Sequence, residues 1–77
     1  MERVIDLKNY SEFKLVMLEC LVNTEKSMEP LTKLKLTAQI NILKRLIETK
    51  DYSYFLNISE LNRYIEENAN IICGFQE

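Results

Sequence analysis

The chain predicts an all-α fold, a small three-helix bundle built from a helical hairpin and a third helix, with dimerisation or a partner completing it. Three observations lead there. The 77 residues include one glycine and one proline, so the tight hairpins of a sheet, which draw on glycine, Asn-Gly or Asp-Gly, have little to be built from. Apolar residues recur at helical spacing in three separate stretches. The residues flanking those stretches are of the kinds that start and stop helices.

The first helix is predicted over residues 10–24. Asn9 is placed to cap it, with Glu12 three residues on, where a capping-box partner belongs. Phe13, Val16, Met17, Cys20 and Leu21 then follow the i, i+3, i+4, i+7, i+8 spacing of one face, and this stripe is expected to face the core. Residues 1–8 stay open between two forms: Val4, Ile5 and Leu7 fit an extended cover over the core or an early helical turn. Residues 23–27 read as a polar connector.

The second helix is predicted over residues 29–50, with Ser27 as its cap and Pro30 in its first turn, where a missing N–H costs nothing. A strand is the rival reading, because Leu34, Leu36, Ala38, Ile40 and Ile42 alternate with polar residues. The alternation breaks at Leu43, Leu46 and Ile47, and the intervening polar residues are mostly good helix formers. Helix is the stronger reading.

An aromatic-rich connector, residues 50–56, leads to a third helix over residues 58–73. Asn57 caps it with Glu60 as box partner, and Leu56 with Leu61 matches a hydrophobic staple. Ile58, Leu61, Tyr64, Ile65, Ala69 and Ile72 form its stripe. Gly74 falls where a left-handed residue should end the helix, and Phe75 is expected to fold back on the last turn. The whole, residues 1–77, is expected to be a single small helical domain.

Apolar residues make up 47% of the chain and charged residues 29%, with a net charge of −2. That balance is too near neutral to imply a polyanionic partner. Its distribution is uneven, with a basic middle between acidic ends, which favours the second helix lying beside both others. Two cysteines, Cys20 and Cys73, are far apart and form no CxxC. Cys20 is expected in the core and Cys73 at the surface. The first residues are charged where a signal peptide would be apolar, and the longest apolar run, residues 15–18, ends at Glu19. A cytoplasmic setting with reduced thiols and no membrane segment is therefore expected.

The first two helices are apolar over more than one face. In the second, Leu31, Leu34, Ala38, Ile42 and Leu46 make one stripe, while Leu36, Ile40, Leu43 and Ile47 make another with coiled-coil spacing. The first helix likewise carries Leu15, Leu18 and Val22 beside its main stripe. A bundle gives each helix one inward face, so this second set (Leu15, Leu18, Val22, Leu36, Ile40, Leu43, Ile47) is expected to meet a partner or a second copy. Asn68 lies in the third helix's stripe. Either it faces solvent, or its buried amide fixes register against a partner helix.

Little in the chain supports catalysis. Histidine is absent, which removes the usual general base near neutral pH and the commonest metal ligand. No ligand spacing for a metal, no glycine-rich phosphate loop and no cofactor motif is present. The expected function is non-enzymatic: a small adaptor, inhibitor or chaperone-like partner acting through apolar helix faces, with homodimerisation favoured. The alternatives are a DNA-binding regulator of helix-turn-helix type, or a structural subunit of a larger assembly. Against the DNA reading, the third helix carries Glu60, Glu66 and Glu67 with a lone Arg63.

Overall fold

The computed structural model describes residues 2–74. They form three helices in chain order: α1 spans Glu2–Thr24, α2 spans Pro30–Thr49 and α3 spans Ile58–Ile72. The described residues contain no strand, so the alternation along residues 34–42 belongs to a helix. The first connection is only five residues long, which makes α1 and α2 antiparallel neighbours. α2 packs along both other helices, whereas α1 and α3 meet over a short stretch. The molecule is flattened, with extents of 40 × 29 × 19 Å.

The helix ends follow the local chemistry with three corrections. At α3 the Asn57 side chain accepts from the Glu60 N–H at 2.9 Å, and a Glu60 carboxylate oxygen accepts from the Leu56 N–H at 2.8 Å. The cap and its return bond are both present, the return bond one residue earlier than in the standard box. Leu56 itself stays exposed while Leu61 is fully buried, so the expected staple does not close. Gly74 has φ of +80° and its N–H donates to the Ile71 carbonyl, the left-handed stop read from the sequence. Phe75 lies outside the described residues.

At α2 the capping residue is Glu29 and not Ser27. Glu29 makes no side-chain cap bond, while the Ser27 hydroxyl donates to the Glu25 carboxylate at 2.8 Å. Pro30 opens the helix as expected. Its other end closes on Lys50, a non-glycine residue at φ 58° whose N–H donates to the Leu46 carbonyl.

The largest correction is α1. It begins eight residues before the predicted start, and Asn9 lies inside it, exposed. The early helical turn is the form residues 2–8 take. With the helix extended back, a different stripe comes into phase: Leu7, Ser11, Leu15, Leu18 and Val22, spaced 4, 4, 3 and 4. Leu7, Ser11 and Leu18 are buried, and Leu15 and Val22 pack against the core.

The same packing relocates the seam expected to meet a partner. Ile40 and Leu43 are buried, Leu36 packs against the core and Ile47 is half-buried. Together with Leu15, Leu18 and Val22 they close the α1–α2 hairpin within one chain. The coiled-coil spacing was a true sign of helix pairing, but the pairing is intramolecular. On its other flank α2 buries Ala38 and Leu46 and packs Ile42, which suits a central helix between two neighbours.

The core is completed by the second connection and by α3. Tyr52 and Phe55 fold inward from residues 50–57 to join Leu61 and Ile65 in one cluster with Leu7, Leu18, Ile40, Leu43 and Leu46. Each fully buried aliphatic side chain contributes about 1.5–3 kcal/mol. Phe55 meets Tyr64 edge-on at 5.1 Å between ring centres. Asn62 ties α3 to α1, accepting from the Tyr10 hydroxyl at 3.0 Å and from the Lys14 ammonium at 2.6 Å. Lys44 of α2 pairs with Glu19 of α1 at 3.4 Å, in keeping with a basic middle helix, though both side chains are solvated and the pair adds about 0–1 kcal/mol.

Ser11 and Tyr52 form the polar spot in this core. The Ser11 hydroxyl donates to the Leu7 carbonyl at 2.8 Å. The buried Tyr52 hydroxyl makes no hydrogen bond. Burial holds the Tyr52 phenol above the ordinary tyrosine value; the nearby Ser11 hydroxyl works the other way, and the charge of Glu12 adds to the rise. Ser11 stands close enough to act electrostatically but outside hydrogen-bonding geometry, and its own proton is committed to Leu7.

Candidate interaction surface

At about 100° per residue, the stripe of Phe13, Val16, Met17 and Cys20 lies roughly opposite the Leu7–Ser11–Leu18 stripe on α1. The structure places it in solvent. Phe13, Val16, Met17 and Leu21 are between 43% and 65% exposed, and Cys20 is an exposed free thiol. This face was expected inside, and Cys20 was expected as a core residue. Both expectations are reversed, for one reason: a helix with two apolar faces can bury only one against α2. The face in phase with Leu7 and Ser11 also meets Tyr52 and Leu61 near the start of the helix, so it gains more contact.

The exposed stripe spans two helical turns. Ile5, also more than half exposed, extends its edge towards the N-terminus. Its margins carry Asp6, Lys8, Glu12 and Lys14, so neither sign of charge dominates. The backbone beneath is regular helix throughout, which makes the face a rigid, straight platform.

A second, smaller apolar patch lies where the start of α2 meets the end of α3. Leu31, Leu34, Ile71 and Ile72 are each half exposed or more, and the Cys73 thiol approaches the Leu34 carbonyl at 3.7 Å, fixing the two ends together. Cys73 is thus half-covered, less exposed than expected. Between α2 and α3 runs a half-open groove of about 330 Å³ bordered by Ile42, Arg45, Thr49, Asp51, Tyr64 and Asn68. Asn68 is half-buried at its edge, and its amide donates to the Tyr64 carbonyl one turn back at 2.8 Å. Its hydrogen-bonding group is engaged within its own helix.

The described residues hold no group of three or more Cys, Asp or Glu side chains arranged for a metal ion. None of their helices is long and apolar enough to cross a membrane. The exposed α1 stripe was visible in the sequence, but as a core face. The signal that separates the two faces is the length of each stripe: the one that continues through Ser11 to Leu7 has the longer run of turns.

The fold and its surface define a class: a small all-α protein whose long first helix carries apolar residues on two opposite sides, one of them uncovered. No model of a protein family matches the chain, and no curated protein or solved structure matches it.

Proposed function

We propose that this protein acts without catalysis, by laying the outer face of α1 on another polypeptide chain. The observation that carries this reading is the row of Phe13, Val16, Met17 and Leu21 on the side of α1 away from the core. Apolar residues clustered on one exposed helix face mark interaction sites more often than chance exposure does. The second patch, at Leu31, Leu34, Ile71 and Ile72, supports an adaptor or assembly subunit that touches more than one neighbour. The free thiols of Cys20 and Cys73 fit a reducing, cytoplasmic setting.

The DNA-binding alternative has less support. A helix-turn-helix joins its two helices by three or four residues, whereas eight residues, 50–57, separate α2 from α3. Two of those eight, Tyr52 and Phe55, are spent in the core.

The test is affinity capture from the native host with the wild-type chain, Val16→Glu, and an Asn41→Glu control on an exposed polar position. The expected result is a specific companion, a second copy included, retained by the control and lost from Val16→Glu with helicity unchanged. An identical set of companions for all three chains would refute the role of the α1 face.

A further inference from the structure

Resting on that reading, we infer that the chain covering the outer face of α1 is a second copy of this protein, paired α1 against α1 about a two-fold axis.

The first argument is area. The chain exposes 5660 Å², whereas a compact monomer of 9.2 kDa exposes about 4,900 Å². The surplus of about 700 Å² is close to the roughly 800 Å² that each partner contributes to a standard stable interface. Much of that surplus is apolar and sits on one helix. A single straight helix face can be covered fully by another of the same length.

The second argument is the character of the face. Asp6 and Glu12 are balanced along its margins by Lys8 and Lys14, so two identical faces meet without a single-sign field to drive them apart. Antiparallel pairing also opposes the two helix dipoles.

The third argument is shape. Phe13 and Cys20 are seven residues apart and occupy nearly the same azimuth on α1, one large and one small. A two-fold axis passing between Val16 and Met17 seats each Phe13 ring over the partner's Cys20, with Val16 and Met17 at the centre. A closed two-fold covers both faces at once and leaves no unpaired one to propagate a filament.

This arrangement makes Cys20 the reporter. In a Cys73→Ser background, with Cys20 as the only thiol, sedimentation equilibrium is combined with the rate of reaction with a disulfide reagent. A dimer mass is expected, with Cys20 reacting more slowly as protein concentration rises. Val16→Glu, at a position with no core contact to lose, is expected to weaken self-association by about 30-fold or more and to make the Cys20 rate independent of concentration. Should Val16→Glu lose helicity, Met17→Lys serves in its place. A chain that stays monomeric to about 100 μM, weaker than even transient interfaces of this size, overturns the inference. So does a dimer whose Cys20 reacts as fast as in the Val16→Glu chain, since its contact would lie elsewhere. A monomer that nonetheless binds a different protein through Val16 overturns the second copy and leaves the proposed function standing.

Discussion

Replacing Tyr52 with phenylalanine should stabilise this protein. The ring is 2% exposed and packs among Leu7, Leu43, Leu61 and Ile65, so the substitution keeps nearly all the apolar contact. What it removes is a buried hydroxyl with no hydrogen bond. Leaving such a group unsatisfied costs about 1–3 kcal/mol, while a small void replaces the lost oxygen. Ser11 is left satisfied, because its proton goes to the Leu7 carbonyl. The expected gain is about 1 kcal/mol, or about 4–8 °C in Tm for a domain of this size.

The same residue gives the molecule an alkaline limb. Its phenol is held above the ordinary value of 10.0 in the folded chain, chiefly by burial. The unfolded chain therefore releases the proton first as pH rises. In that window the folded state binds more protons than the unfolded one, so stability falls with increasing pH. The contribution is fully present below pH 10.0 and is lost as pH rises through the folded value. Tyr52→Phe lacks this loss, so its advantage over wild type should widen above pH 10.0. Urea unfolding followed by far-UV circular dichroism, at neutral pH and again at about pH 11, measures both effects. Destabilisation by about 1 kcal/mol or more at neutral pH would show that the hydroxyl is well bonded after all. An advantage that does not change with pH would refute the raised phenol.

Other perturbations test the fold. Leu43→Ala, at a site with no exposure, should cost about 2–5 kcal/mol in chemical denaturation; Leu43→Glu should lose cooperative unfolding, because that stripe is core and not interface. Lys50→Gly should gain about 0.5–1 kcal/mol by relieving a left-handed residue at φ 58°, read as a raised denaturation midpoint. Asn57→Ala should cost about 1 kcal/mol by leaving the Glu60 N–H uncapped, with faster amide exchange confined to the first turn of α3. Asn68→Leu should leave oligomeric state unchanged and alter stability only slightly, since its amide serves its own helix; a change in mass by sedimentation would reinstate it as a register residue.

The limits of α2 and α3 were legible because each rests on a local device. Pro30 has no N–H to waste, Asn57 offers an oxygen to a first-turn amide, and Gly74 adopts φ of +80° without a Cβ penalty. The start of α1 was not legible, because Asn9 and Glu12 form a plausible capping pair that nothing nearby contradicts. Only the burial of Leu7 and Ser11, through contacts made from residues 52–65, carries the helix back to Glu2. Asn68 was ambiguous for a related reason. An amide on an apolar stripe reads the same whether it meets a partner or its own backbone.

By itself, the sequence determined that there are three helices, where two of them begin and end, and that apolar surface exceeds what one bundle can hide. The tertiary structure decided which of α1's faces is hidden. Phe13–Val16–Met17–Cys20 and Leu15–Leu18–Val22 are both helical stripes, and periodicity cannot rank them. Tyr52 and Phe55, arriving from a distant connection, extend the core past Ser11 to Leu7, and that added contact turns the second stripe inward and leaves the first in solvent.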